Sequence, residues 1–339
     1  VVEDPPQLSR DGEPDGSGTP GAVDMVDMVG IVGIGMSALD SLHSVEEFPS
    51  AGGITELAGG FLSGGGPVPT ALCAAARLGA ACAIVERLGG DWRGDFLVAD
   101  YRRHGVSVEH LSREADASTA AATVLVRRRD GERHVLFERG TATEIRPEEL
   151  PREALRRCRF LHLNGHHPEA SLAAARIVGE SGGAVSFDGG AHRYHPRLEP
   201  FVALADILVV ARDFAEQRVG PGSPADPREL VLALAETAPS ASLVGVTDGE
   251  RGSWLLERGD AAPWHQPACD PGEIVDTTGC GDVFHGALLA ARLGGGSWRE
   301  AARVASAAAA LAATSLGGRG RLPRRAEIDV VLRGSRLAR

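Results

Sequence analysis

A chain of 339 residues with 43% hydrophobic side chains can bury a large core, as one big α/β domain or two smaller ones. Its formal charge of −11 argues against a partner recognised by its phosphate backbone, and no run reaches the roughly 18 to 20 apolar residues of a membrane helix. The five cysteines, Cys73, Cys82, Cys158, Cys269 and Cys280, form no C-x-x-C pair, and an odd number suits no disulfide framework; buried thiols in a reducing cytosol are expected.

Residues 1–24 are rich in Pro, Gly, Asp and Ser and lack a basic start with an apolar stretch, which predicts a disordered tail. A folded domain is expected over 25–330, followed by a short tail over 331–339. Its first apolar run, 28–40, has the pattern of a buried strand. Helices are predicted over 70–78 and 95–104, stopped by Gly79 and Gly105, with the strand AACAIVERLG between them. Residues 118–140 form two β-rich runs around Asp130-Gly131, a dipeptide that suits a tight hairpin turn. Together with residues 38–62 they are expected to make a small β lid. Then strands and helices alternate: FLHLNG, EASLAAARIVGE, AVSFDGG, DILVVA, PRELVLALAET, SLVGVTDG. That order implies a mostly parallel sheet covered by helices on both faces, with ligands at the carboxyl ends of its strands.

The stretch DTTGCGDVFHGALLA, 276–290, places Gly279, Cys280 and Gly281 at the start of an apolar helix, where free N–H groups and the positive end of the helix dipole favour phosphate. Asp282 beside them can take a proton from an attacking hydroxyl, or can merely cap the helix. This stretch resembles the carboxyl-terminal signature of the ribokinase-like, or PfkB, family of carbohydrate kinases. GGGPVPTALCAAARLGA over 64–80, followed by GGDWRGDFLVADYRRHGV, resembles the amino-terminal signature, and VTDGERG over 246–252 resembles the family's nucleotide-phosphate strand end.

The resemblance implies a three-layer α/β/α sandwich with a β lid and ATP-dependent phosphoryl transfer to a sugar hydroxyl. It makes Asp282 the base and the backbone of Gly279, Cys280 and Gly281 an anion hole. Cys280 stands where Ala is usual, and its thiol is expected to bring sensitivity to oxidation. Asp40 matches the acidic residue that grips sugar hydroxyls, and Gly65 and Gly66 the diglycine under the sugar. Thr247 and Gly249 are expected on the nucleotide phosphates, with Gly252 making the turn and the small residues of 305–318 beside adenine. Asp276 and Thr278 resemble positions near a monovalent-cation site, K⁺ in this family.

Two departures stand out: Thr70 replaces the usual Asn, and ARDFAEQ over 211–217 lacks the Asn of the magnesium-linked motif, leaving Asp213 or Glu216 to organise the water shell of Mg²⁺. At the strand ends, Asn164 is expected as a polar sugar or nucleotide contact. Arg139 could meet an anionic group or simply be a surface arginine. His166, His167 and Asp188 invite a metal reading that no third ligand spacing supports. The stretches DFLVADYRRHGV and DVFHGALLAARLGG are reminiscent of ketohexokinase and sulfofructose kinase-like members, pointing to a ketose or modified hexose. Nucleosides and sugar phosphates stay open as acceptors, and so does an idle binding protein on the same scaffold. A homodimer paired through the lids is the expected assembly. The run Gly33-Ile-Gly35-Met-Ser-Ala38 mimics a dinucleotide fingerprint, yet that motif needs a helix directly after it.

Overall fold

The computed structural model describes residues 30–129, 131–190 and 193–337. The expected amino-terminal tail, the start of the first apolar run and Asp130 of the hairpin turn lie outside them. The first run divides in two, because β1 (Ile31–Ile34) ends in one sheet and β2 (Leu39–Val45) begins another. No helix follows β1, which removes the dinucleotide reading. Its glycines serve packing instead: a Cβ on Gly33 would stand 2.6 Å from Val68 Cγ1, and one on Gly35 2.7 Å from Val68 Cβ.

After β3 (Gly59–Gly64), α1 (Pro67–Arg77) starts earlier than 70, with Pro67 at a position where its missing N–H is no loss. β4 (Cys82–Gly89) leads to α2 (Trp92–His104), which also starts early because Asp91 caps the Gly94 N–H at 3.0 Å; it stops at Gly105, φ 79°. Two short strands, β5 (Val106–Ser107) and β6 (Leu111–Glu114), precede the hairpin of β7 (Ala121–Arg127) and β8 (Arg133–Glu138). The βα alternation continues with α3 (Arg152–Arg157), β9 (Phe160–Leu163), α4 (Pro168–Glu180), β10 (Ala184–Asp188) and α5 (Glu199–Leu204). Then come β11 (Ile207–Ala211), α6 (Arg212–Val219), α7 (Pro227–Glu236) and β12 (Leu243–Thr247). The chain closes with β13 (Ser253–Glu257), β14 (Trp264–Gln266), α8 (Cys280–Leu293), α9 (Trp298–Ala312) and α10 (Arg325–Leu337). The last helix runs through much of the stretch expected as a tail, docked by the buried Ile328.

The main sheet has the order β14-β13-β12-β11-β10-β9-β1-β4-β5, with β6 added on β4. It is parallel except for β13 and β14 at one edge. Alternate residues of a strand feed opposite faces: Ile207 and Val209 pack with α1, α8 and α9, while Leu208 and Val210 pack with α4, α5 and α7. The result is the expected three-layer α/β/α sandwich. The second sheet, β3-β2-β7-β8, matches the expected lid, and Leu42, Ala122, Val124 and Val126 on its inner face pack with Leu316. Its two edge strands expose Phe61, Leu62, Leu136 and Phe137.

α8 crosses α1 with no room to spare, since a Cβ on Gly286 would fall 2.0 Å from the Ala71 carbonyl oxygen. Replacing Gly286 by Ala therefore has to push two helices apart, and we expect a loss of about 1–3 kcal/mol, read as a lower urea midpoint. An unchanged midpoint would show that this crossing is slack.

Candidate active site

The loop before α8 is built on Asp276, whose carboxylate is buried. Oδ1 accepts from the Thr278 N–H at 2.8 Å and from its hydroxyl at 2.7 Å; Oδ2 accepts from the Gly317 N–H at 2.8 Å. Gly279 then turns with φ 74°, and a Cβ there would lie 2.5 Å from Gly318 Cα, so two backbones touch. No side chain caps α8. The N–H groups of Gly279 and Gly281 have no protein acceptor among the described residues, while that of Cys280 turns back to the Thr277 carbonyl at 3.3 Å. The expected set of three donors thus narrows to its glycines, and the space above Gly281 is open.

Asp282 is the third residue of α8, partly exposed, and does not cap it. Burial raises its carboxyl to about 7, with the Asp188 charge acting the same way and His285, Arg319 and Arg193 opposing. Burial, then Asp276 and Asp282, push the Cys280 thiol up to about 12. A thiolate is scarce at that value, so the expected oxidation sensitivity has no support here. Arg133, from β8, donates to the Thr278 hydroxyl at 3.1 Å and so brings a positive charge to the place where a monovalent cation was expected.

In the amino-terminal signature each of three consecutive glycines is a close approach. A Cβ on Gly65 would lie 2.2 Å from Asp40 Oδ2, and one on Gly66, at φ 99°, 2.3 Å from the Met36 carbonyl oxygen. Gly64 packs on the guanidinium of Arg319. Asp40 is raised to about 6 by burial, against the charge of Arg319, and its carboxylate has no hydrogen-bond donor among the described residues. Thr70 is not an open contact: it is buried, and its hydroxyl accepts from Arg319 Nε at 3.2 Å. Arg319 also donates to Asp100 Oδ2 at 2.6 Å and to the Gly65 carbonyl at 2.9 Å, and lies 5.4 Å from the centre of the Tyr101 ring. Behind it the buried Glu86 accepts from the Ser37 hydroxyl at 2.8 Å and the Tyr101 hydroxyl at 2.7 Å. Sequence reasoning missed Arg319 and Glu86, because their partners are distant in the chain and no motif marks them.

Among the strand-end residues, Asn164 is buried with neither amide atom hydrogen-bonded among the described residues. His166 meets Arg193 Nη2 at 3.5 Å and is lowered to about 4 by burial, then by the charges of Arg193, His167 and Arg139. Arg139 itself is exposed. On the other flank the missing Asn position is filled differently: Arg212 donates to Glu216 at 2.6 Å and to Asp248 at 2.9 Å. Glu216 is thereby taken, and Asp213 has a partner as well. These carboxylates do not fit as holders of a magnesium water shell. Thr247 ends β12 beside Ala211 of β11, Gly249 opens on empty space, and Gly252 turns at φ 87°. The alanines of α9 at 301, 302, 305 and 308 are buried against the core, which accounts for them by packing.

The chain matches the pfkB family carbohydrate kinase model over residues 31–325. It is 32% identical over 290 residues to fructokinase-1 of Oryza sativa subsp. japonica, covering 78% of this chain and 86% of that one. It is 29% identical to the ATP-dependent ribose-1-phosphate kinase of Halopiger xanaduensis, with 81% and 88% covered. The structure of ribokinase from Thermotoga maritima superposes with a TM-score of 0.77 at 25% identity, over 90% of this chain and all of that one. With both signatures joined through the turn at 317–319, the chain belongs to the pfkB family of carbohydrate kinases, phosphotransferases that act on a sugar hydroxyl.

Proposed function

We propose that this kinase moves the γ-phosphoryl group of ATP to a hydroxyl of an acceptor lying on Gly65 and Gly66, with Asp40 gripping its other hydroxyls and Asp282 as the base. The observation that carries the reading is Asp282 itself: a partly exposed carboxylate freed from capping, beside glycine N–H groups that no protein acceptor occupies among the described residues. Those donors neutralise charge as it develops on the phosphoryl oxygens, and Asp282 receives the proton of the attacking hydroxyl. Thr247 and Gly249 face the nucleotide phosphates on this reading, and Asn164 completes the polar wall of the acceptor site. A divalent cation bound to the triphosphate would offset its charge; no residue of this chain is assigned to hold it. Arg133, seated on Thr278, supports activity without added K⁺.

A ketose or modified hexose is the acceptor we favour, in line with the fructokinase relative. A phosphorylated pentose is the second reading, favoured by Arg139 and Arg193 around His166 and by the ribose-1-phosphate kinase relative. The apolar edge strands of the second sheet support its role as a lid that pairs with that of a second copy. All five cysteines are free and no described helix is long and apolar enough to cross a membrane, in keeping with a cytoplasmic enzyme.

Turnover of ATP against a panel of neutral and phosphorylated sugars tests the reading, and an absence of any acceptor-dependent turnover would favour the idle scaffold. Asp282→Asn should cut kcat by about 100-fold or more while binding of a non-hydrolysable ATP analogue persists; near-normal turnover would refute the base. Because a raised carboxyl must ionise before it can accept a proton, kcat/KM should climb with pH through a limb near 7. Gly65→Ala drives a methyl into Asp40 and should raise the acceptor KM well above any change in the KM for ATP.

A further inference from the structure

The transfer machinery leaves one buried set of ionisable side chains without a task. His285 sits on α8 three residues after Asp282, so the two share a helix face one turn apart. Its Nε2 lies 3.4 Å from Asp188 Oδ1 at the end of β10, with side chains 4% and 6% exposed. The ring of His162, from β9, lies 5.4 Å from that of His285, and its Nδ1 is 3.2 Å from the Ser186 hydroxyl. Neither His285 Nδ1 nor His162 Nε2 has a hydrogen-bond partner among the described residues. Stability alone does not call for such a cluster, since apolar side chains of similar volume would fill the space without desolvating charge.

The charges around His285 decide its state. Burial opposes an imidazolium, but Asp188 and then Asp282 outweigh it and raise the ring's affinity for a proton. Burial likewise opposes the Asp188 carboxylate, and His285 outweighs it. His162 is lowered to about 3, by burial first and His285 second, and so contributes no charge. The Cys280 thiol is protonated, while Arg319 and Arg193 also bear on Asp282.

We propose that His285 is a positioning residue for the base: an imidazolium anchored on Asp188, one helical turn from Asp282, whose charge sets the pH at which the Asp282 carboxylate accepts the acceptor's proton. The inference rests on Asp282 as the base. Its logic is a matter of sign. Without His285, Asp188 would face Asp282 as an uncompensated like charge and hold it protonated; with it, the Asp188–His285 pair is neutral and Asp282 ionises more readily.

The test needs no acceptor. Ring nitrogens of the ligand-free protein are followed by NMR from pH 5 to 9, with His285 assigned by its disappearance in His285→Gln. Its midpoint should lie above the usual histidine value of about 6.5 and should drop by roughly one unit in Asp282→Asn and in Asp188→Asn. A ring that stays neutral across the range, or a midpoint indifferent to Asp282→Asn, overturns the proposal. In the folded His285→Gln enzyme the acid limb of kcat/KM should move up by roughly one pH unit with affinity for the ATP analogue unchanged; a limb that stays put overturns it equally. Should His285→Gln fail to fold, the His285 ring is assigned instead by through-bond correlation to its own backbone, and the Asp282→Asn titration still decides. Turnover that survives Asp282→Asn refutes the base assignment instead, in an assay separate from the titration.

Discussion

A buried guanidinium holds the two halves of the cleft in register. Arg319 binds Asp100 of α2, Thr70 of α1 and the carbonyl of Gly65, with its side chain 1% exposed. Removing one partner from such a pair costs about 3–5 kcal/mol, because the remaining charge has no water to turn to. The same loop touches the phosphoryl side through neighbouring residues: Gly317 donates to Asp276, and Gly318 lies against Gly279. Residues of one short turn thus meet the diglycine at 65–66 and the start of α8 together. A displacement of Arg319 cannot stay local.

Carboxylates in this cleft are sorted by their surroundings. Asp188, beside His285, and Asp100, beside Arg319, are buried and held well below the ordinary range. Asp40 and Asp282 are partly exposed, have no hydrogen-bonded cation among the described residues, and are raised towards neutrality by desolvation. That division separates groups that hold structure from groups free to meet a ligand. It follows from which positive side chains the fold brings within reach, a property of packing and not of local sequence.

Much of the architecture was legible because its signals are local. Alternating apolar runs marked the parallel strands, Gly79 and Gly105 ended helices where they stop, and the runs around Gly131 folded as a hairpin. Helix starts were less visible: Pro67 and Asp91 begin α1 and α2 several residues before the apolar spacing does. The 28–40 run misled because buried strands in two different sheets are both apolar, and only the packing of Val68 on Gly33 and Gly35 separates them. At the site, the glycine motifs were visible in their spacing, whereas spacing alone left Asp282 as a cap or a base and the base reading came from the family resemblance. Thr70, Glu216 and Cys280 could not be read from spacing, since their roles are settled by Arg319, by Arg212 and by burial, none of which has a local signature.

The contact between Arg133 and Thr278 joins the tip of the β7–β8 hairpin to the turn that presents the glycine donors. A solvent-facing hydrogen bond of this kind contributes only about 0.5–1.5 kcal/mol, so it works as a light latch. Breaking it would leave the turn before α8 held by Asp276, which binds Thr278 and Gly317 independently of the hairpin.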